Sequence, residues 1–254
     1  EVDCKAHSTL DSLYDALVER ASTLEPGMWV LASGYNQEAF AGHYPDIAEL
    51  DRRLPHHPLF MRHTSGHACI VNTRAIDISR VLGEAGDVDG GAVVLDDQGN
   101  PTGLLEERAQ ALIQRMLLPK SQAELEQALG RASRAYLSEG ITSFTEAGVA
   151  AGWIGHSPAE IAAYQSAQDK ALLHQRAQLM VVSDLFHDVA GEPPSFGLDG
   201  GIRTGFGSEW LSVGPMKIFL DGSMLAWTGA MSEPFSAGPP DNYGYFQADE
   251  DALA

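Results

Sequence analysis

The feature that most constrains the fold is an alternation of helical and strand-like segments in the second half of the chain. Apolar residues at helical spacing, a serine-opened cap and short apolar runs predict helices separated by strands. The predicted order is helix 121–139, strand 141–145, helix 158–175, strand 178–183 and strand 211–220. Because helices that connect successive strands favour parallel pairing, this order predicts an α/β architecture.

The first half predicts a mixture of helices and extended segments. A helix at 8–24 opens with Ser8 and Asp11 at capping-box spacing. The other predicted helices and strands come from hydrophobic periodicity: strands at 28–32, 58–63 and 67–72, and helices at 45–54, 73–82 and 104–118. A glycine-rich turn is predicted at 83–91, and DDQGNP, residues 96–101, predicts a hairpin connection between two strand-like runs.

Charge and composition exclude several classes of partner. The chain of 254 residues has 16 Lys plus Arg against 35 Asp plus Glu, a formal net charge of -19, which repels phosphate backbones and anionic lipid surfaces. We therefore expect no nucleic-acid partner and no membrane partner, while a homo-oligomer stays open. Cys4 and Cys69 lack the spacing of a zinc knuckle or a disulfide framework, so a reducing, cytoplasmic location is expected.

Lys217 lies between Met216 and Ile218 in an apolar, strand-like segment. A buried ammonium is unstable unless it is paired or loses its charge, and a neutral lysine is a nucleophile. Such a lysine could form a Schiff base with a carbonyl substrate, or a carbamate that bridges two metal ions. An equally good interpretation is a strand-end lysine whose stem packs on apolar neighbours while its ammonium reaches water or Asp221.

Four other residues could carry chemistry. His63 and His67, in HTSGH, are four apart on a glycine-containing loop, so we expect one substrate-facing and one structural histidine rather than a metal pair. Glu146 is predicted to end a strand, where barrel enzymes place functional groups, or else to bind backbone N–H groups at a helix start. Glu107 and its neighbour Glu106 are predicted to serve a helix dipole, although for Glu107 a functional role is nearly as strong.

A series of blocks through most of the chain carries a family resemblance. The blocks are GYN from residue 34, HYPDIAELD from 43, PLFMRHTSGHACIVNTRAI from 58, GNPTGLLEERA from 99, GITSFTEAG from 140 and MKIFLDGSMLAWTGAM from 216. Together they resemble the amidohydrolase superfamily, and within it amidohydrolase family 3, which includes N-substituted formamide deformylase-like proteins. The resemblance implies a (β/α)₈ TIM-barrel metallohydrolase with a small β-sandwich and a long insertion between barrel strands one and two.

The resemblance also implies how the chain divides. Residues 1–27 would be the helix after barrel strand one, 28–138 the insertion and leading helices, and 139–254 barrel strands two to four with their helices and the loop after strand four. The family's His-x-His, its later histidines and its strand-eight aspartate have no counterpart in the sequence. We therefore expect an internal portion of a longer chain, an incomplete barrel that does not by itself hold a binuclear metal centre.

Matching positions imply roles for individual residues. Lys217 would be the carboxylated, metal-bridging lysine that ends strand four, and Glu146 would be the acidic catalytic residue that ends strand two. Asn36 stands where the family pattern has Asp. The residues expected to line the substrate pocket are Tyr35, Asn36, His63, His67, Asp221 and Trp227.

These features predict a metal-dependent hydrolase that cleaves C–N bonds of an amide-like or formamide-like small molecule through metal-activated water. The expected cofactor is a divalent metal, with zinc as the first choice and one or two ions in the complete protein. Two alternatives stay open: a lyase or aldolase in which Lys217 forms a Schiff base, and a non-catalytic barrel fragment that associates through exposed strand edges.

Overall fold

The computed structural model describes residues 1–81, 88–118, 120–151, 157–190 and 195–247. The chain folds as two compact units, the first of Glu1–Met116 with Phe219–Ala254 and the second of Leu117–Ile218. The predicted glycine-rich turn at 83–91 lies largely outside the described residues. Within the described ranges, no helix combines the length and the apolar character needed to cross a membrane.

A mixed sheet forms the centre of the first unit. Its strands are β1 Val2–Asp3, β2 Val30–Tyr35, β3 Leu59–His63, β4 Ala68–Val71, β5 Gly91–Leu95 and β6 Pro101–Glu107. The strand order is β1-β2-β3-β4-β6-β5, with β1 to β3 parallel and the remaining neighbours antiparallel. The α-helices of this unit include α1 Leu10–Ser22, α2 Ile47–Arg53, α3 Thr73–Ser79 and α4 Ala111–Gln114.

Helix α1 covers the sheet with one apolar face. Leu13 and Leu17 of this helix are buried in the same core cluster as Val30 of β2, as their spacing predicts. The predicted cap is displaced by one residue, because Thr9 rather than Ser8 accepts the hydrogen bond from a helical N–H. The cap therefore starts the helix later than the sequence pattern indicates.

The prediction of a helix at 104–118 is wrong for residues 104–107 and confirmed for residues 108–114, where a 3₁₀ turn, Arg108–Gln110, leads into α4. Strand β6 continues to Glu107, because it pairs with β4 on one side and with β5 on the other. The predicted hairpin is confirmed: Asp96 Oδ1 accepts from the N–H groups of Gln98 at 2.9 Å and Asn100 at 2.8 Å. Pairing on both sides keeps residues 104–107 extended, and the helical turns begin at Arg108.

The second unit contains helices α5 Gln122–Ser138 and α6 Ala159–Asp169 and strands β7 Ser143–Val149, β8 Arg176–Val181, β9 His187–Val189, β10 Ser195–Gly197 and β11 Leu211–Val213. Strands β7, β8 and β11 pair in parallel, in the order β11-β8-β7, as the helix–strand alternation predicts. The predicted capping box is also confirmed, since Ser121 and Glu124 exchange side-chain and backbone hydrogen bonds at the start of α5.

The strand predicted at 211–220 is much shorter, because β11 ends at Val213. Pro215 has no N–H, so it interrupts the hydrogen-bond ladder with β8. Pairing resumes at Lys217, whose N–H donates to the Val181 carbonyl oxygen at 2.8 Å. Ile218 is 48% exposed, and the segment is therefore not a buried strand.

Candidate functional site

A buried carboxylate and a histidine form the centre of the candidate site in the first unit. Glu107, the last residue of β6, is fully buried, and the side chain of His67, which directly precedes β4, is 19% exposed. His67 Nδ1 donates to Glu107 Oε2 at 2.8 Å, since a carboxylate can only accept. This hydrogen bond places the ring proton of a neutral His67 on Nδ1, so that the lone pair lies on Nε2.

Glu107 also accepts hydrogen bonds from two residues that are distant in sequence. Its Oε1 accepts from Thr228 Oγ1 at 2.5 Å, and its Oε2 accepts from Gln247 Nε2 at 2.6 Å. Gly222 lies directly over this group, because a Cβ there would come within 2.5 Å of Thr228 Cβ and 2.6 Å of Glu107 Oε1. Residue 222 must therefore be glycine for the carboxylate to keep its partners.

His63 is held as a neutral imidazole close to His67. The Gln37 amide nitrogen donates to the Leu225 carbonyl at 2.7 Å, so its Oε1 accepts from His63 Nε2 at 2.6 Å. His63 Nδ1 in turn accepts from Ser65 Oγ at 2.8 Å. Burial and the neighbouring His67 lower the pKa of His63 to about 4. His63 is 1% exposed and has partners on both ring nitrogens, which fits the structural histidine expected in HTSGH; its predicted place in the substrate pocket stays a prediction.

The segment from Asp221 to Ala230 is anchored around these two histidines. Asp221 Oδ2 accepts from the Ala230 N–H at 3.0 Å, and the Asp221 carbonyl accepts from Gln247 Nε2 at 2.8 Å. Trp227 adopts a left-handed backbone conformation with φ 60°, and its ring meets the Tyr44 ring edge-on with centroids 6.4 Å apart. Asp221 thus fixes the backbone of the segment, while the Trp227 ring packs against Tyr44.

Tyr35 and Asn36 have structural partners. Tyr35 is fully buried, its hydroxyl donates to the His43 carbonyl, and its ring stacks on Phe40 with centroids 5.1 Å apart. Burial raises the pKa of its hydroxyl. Asn36 Oδ1 accepts from the Glu38 N–H at 3.1 Å and caps a short 3₁₀ helix. Tyr35 thus packs in the core and Asn36 caps a helix, and the expectation that both residues line a substrate pocket stays a prediction.

The second unit holds the other two candidates, Glu146 and Lys217. Glu146 does not end its strand as predicted, since β7 continues to Val149. Its Oε2 accepts from the Tyr164 hydroxyl at 3.0 Å, which directs the carboxylate toward α6. Lys217 is partly exposed, so the expectation of an amine enclosed in a buried strand is corrected.

Glu146 and Glu160 face one cavity of about 290 Å³ that lies among α5, α6 and β7. Glu160 Oε2 accepts from the Ala150 N–H at 3.0 Å. Burial, together with the charge of Glu146, raises the pKa of Glu160 to about 7. Apolar side chains make up much of the wall, including Leu125, Leu129, Phe144 and Leu173. The predicted site carboxylate thus lies beneath the helices in an apolar cavity.

The sequence interpretation placed Glu107 at a helix start and did not single out Thr228, Gln247 or Gln37. A signal for Glu107 was present in the hairpin at 96–101, because two paired strands must extend together from their turn. Extending β6 to match β5 places Leu105 and Glu107 on one face and Glu106 on the other. The partners Thr228 and Gln247 had no such signal, since they lie more than 100 residues away in sequence.

The family model of the amidohydrolases matches residues 3–254, and the chain belongs to this family, which confirms the resemblance. It is 28% identical over 243 residues to YtcJ of Bacillus subtilis (strain 168), covering 95% of this chain and 44% of that protein. It is 30% identical over 115 residues to N-substituted formamide deformylase of Arthrobacter pascens, covering 44% of this chain and 21% of that protein.

Comparison with solved structures shows the fold. A metal-dependent hydrolase from Pyrococcus horikoshii OT3 superposes with a TM-score of 0.57 at 19% identity, over 99% of this chain and 45% of that chain. The chain therefore has the mixed α/β fold of the matching part of that hydrolase. It spans less than half the length of each of these relatives.

The donor set of the chain decides whether it could hold a metal by itself. Within the described ranges, no three His, Cys, Asp or Glu side chains converge as metal ligands. The carboxylate–imidazole pair of Glu107 and His67 is an arrangement that orients an imidazole toward a metal or a proton donor. One oriented imidazole is not a ligand set, so the described residues do not fit a complete metal centre.

Proposed function

We propose that this chain is part of a metal-dependent hydrolase that cleaves C–N bonds in small amide-like or formamide-like molecules. Membership of the amidohydrolase family supports hydrolysis, and the name of the deformylase relative supports the choice of bond. The observation that carries the proposal is the hydrogen bond between His67 and the buried Glu107. This hydrogen bond supplies a positioned imidazole within the chain itself, on a partly exposed ring.

The role of this pair follows from its geometry. Glu107 holds the ring proton of His67 on Nδ1 and stabilises the imidazolium that would form if Nε2 accepted a proton. Thr228 and Gln247 hold the carboxylate in turn, so the ring orientation is set before substrate binds. We assign His67 to contact the substrate or the attacking water, and Glu107 to position His67.

The remaining assignments rest on the family resemblance. Lys217 is proposed as a carboxylated ligand of a divalent metal, with zinc as the first choice, and Glu146 as an acidic residue of the complete active site. Asp221 and Trp227 are proposed as residues near the substrate.

The test is hydrolysis of an N-substituted formamide by the complete gene product, measured as the release of the amine. We expect His67→Gln to lower kcat/KM by about 100-fold or more, as loss of a positioned proton acceptor does. Glu107→Gln is expected to lower it by about 10–100-fold, the usual effect of removing the carboxylate behind a functional histidine. His56→Gln, at an exposed position, is the matched control and should leave kcat/KM unchanged.

Further measurements separate this proposal from its alternatives. Chelation should abolish turnover and added zinc should restore it; turnover that survives complete metal removal would contradict the metal dependence. Borohydride trapping of a carbonyl substrate on Lys217 would instead support the Schiff-base alternative. Equal turnover of the His67→Gln and wild-type proteins would refute the role of the His67–Glu107 pair.

A further inference from the structure

Besides the cavity of the second unit, the first unit contains a cavity of its own. Its volume is about 880 Å³, within the size range of small-molecule sites. One wall is a face of the sheet that carries Ile70 of β4 and Thr102, Leu104 and Glu106 of β6. The opposite wall consists of residues 38–47 and 226–242, including Tyr44 and Trp227. Because Glu106 and Glu107 alternate on β6, Glu106 faces this cavity and Glu107 faces the His67 site.

The charged side chains around this cavity have one sign. Among the described residues that line it there is no Lys, Arg or His, and the acidic residues are Glu38, Asp46, Asp96 and Glu106. Asp46 and Asp96 serve as acceptors for backbone N–H groups of a helix start and a turn. Glu106, by contrast, lies on the sheet wall of the cavity, where a bound cation would form an ion pair with it.

Two aromatic rings form a corner in the same cavity. The rings of Tyr44 and Trp227 are perpendicular, with centroids 6.4 Å apart. Trp227 is held in its strained left-handed conformation by Asn242, whose Nδ2 donates to the Trp227 carbonyl at 2.8 Å. Gly238 allows the close approach, because a Cβ there would lie 2.5 Å from Trp227 Cε3. These contacts therefore hold the Trp227 ring in place although its backbone is strained.

We propose that this cavity binds a small organic cation, a substituted ammonium ion with an apolar body, whose charge lies between the aromatic corner of Tyr44 and Trp227 and the carboxylate of Glu106. Aromatic faces and a carboxylate both attract a cation, whereas four acidic residues repel an anion. Leu104 and Ile47 supply apolar surface for the rest of the ligand. This site shares Trp227 with the region proposed to lie near the hydrolase substrate, but its carboxylate, Glu106, lies on the opposite face of β6 from Glu107.

The acidity of Glu106 gives the binding a pH dependence. Burial and the charge of Glu107 raise the pKa of Glu106 to about 7. Other titratable residues also line the cavity: Tyr44, Asp46 and Glu38 on its loop wall and Asp96 on the hairpin. The carboxylates of Glu38, Asp46 and Asp96 add to the negative field. Glu106 is more fully ionised above its pKa, so cation binding strengthens as the pH rises from about 6 to about 8.

The experiment compares two probes of nearly equal shape, benzylammonium and benzyl alcohol, by titration calorimetry with the complete protein at pH 8. We expect benzylammonium to bind about tenfold more tightly than the neutral alcohol, the scale of a cation held by an aromatic face and a carboxylate. Glu106→Gln should remove this preference, and Trp227→Leu should weaken binding of the cation. Asp97→Asn removes an equal charge from the exposed hairpin turn and should change neither affinity.

Two further variants make the result decisive. Glu106→Asp retains the charge and is expected to retain the preference, which separates loss of binding from loss of folding. His67→Gln should bind benzylammonium like the wild type; if it loses the preference, the ligand lies at the His67 site and the proposal fails. Equal affinity for the two probes, or an unchanged preference in Glu106→Gln, also overturns it.

Discussion

Each unit of the chain contains a pair of carboxylates in a largely apolar setting, and the two pairs are stabilised in different ways. In the first unit, Glu106 and Glu107 are neighbours in sequence and point to opposite faces of β6. Glu107 is fully buried, with side-chain donors from His67, Thr228 and Gln247. In the second unit, Glu146 and Glu160 come from different elements and face the same cavity.

The difference shows how a fold makes a buried carboxylate tolerable. Glu107 exchanges water for several donors held at short distance, and a carboxylate with several donors keeps its charge at low free-energy cost. Glu160 accepts one backbone N–H at 3.0 Å and lies near a second acidic residue. Its raised pKa reflects that weaker compensation, and the same reasoning applies to Glu106 beside Glu107.

The largest predicted effect comes from replacing Glu107, the buried carboxylate of the first unit. Glu107→Leu leaves the donors of His67, Thr228 and Gln247 buried without their acceptor, so we expect a loss of at least about 3 kcal/mol in the stability of the first unit. Hydrogen exchange of the β4 and β6 amides measures it locally. Glu107→Gln keeps one acceptor oxygen and should lose less. A loss below about 1 kcal/mol in Glu107→Leu would show that the donors find other partners.

The next largest effect is the pH dependence that Glu160 gives to the stability of the second unit. The folded-state pKa of Glu160, about 7, lies above its ordinary value of 4.5, so the native state binds the proton more tightly than the unfolded state does. The favourable contribution is therefore fully present below about pH 4.5 and is lost as the pH rises through about 7, by about 1–2 kcal/mol after allowance for partial exposure.

Glu160→Gln should remove this pH dependence of the stability, because the amide does not titrate. Denaturant unfolding at several pH values, with hydrogen exchange of β7 and β8 amides as the local readout, provides the measurement. Glu139→Gln, at the exposed end of α5, is the control and should retain the slope. An identical slope in Glu160→Gln and wild type would assign the pH dependence to another group.

The smallest effect concerns the partner of Glu146. Tyr164→Phe removes the hydroxyl that donates to Glu146 Oε2 at 3.0 Å, and the expected loss is about 1 kcal/mol, the usual net value of one hydrogen bond. Thermal unfolding of both proteins at the same pH measures it. Tyr136→Phe changes a partly exposed tyrosine of α5 and should cost less; equal losses in the two variants would remove the special role of the Tyr164–Glu146 contact.

Local signals predicted the elements that local interactions form. The capping box of Ser121 and Glu124 and the hairpin turn at Asp96 follow from residues close in sequence. The parallel pairing of β7 with β8 follows from the helix predicted between them. The helix predicted at 104–118 begins only at Arg108, because pairing of β6 with two neighbours outweighs local preference at residues 104–107. The long strand at 211–220 is wrong because Pro215 interrupts it.

The sequence by itself determined the family and the α/β class of the second unit, because both depend on residue types at short spacing. Only the tertiary structure decided that Glu107 is the partner of His67 and that Tyr35 and His63 belong to the interior. It also placed Glu106 and Glu107 on opposite faces of one strand. The physical reason is that a buried carboxylate needs donors, and the fold brings those donors, Thr228 and Gln247, from far along the chain.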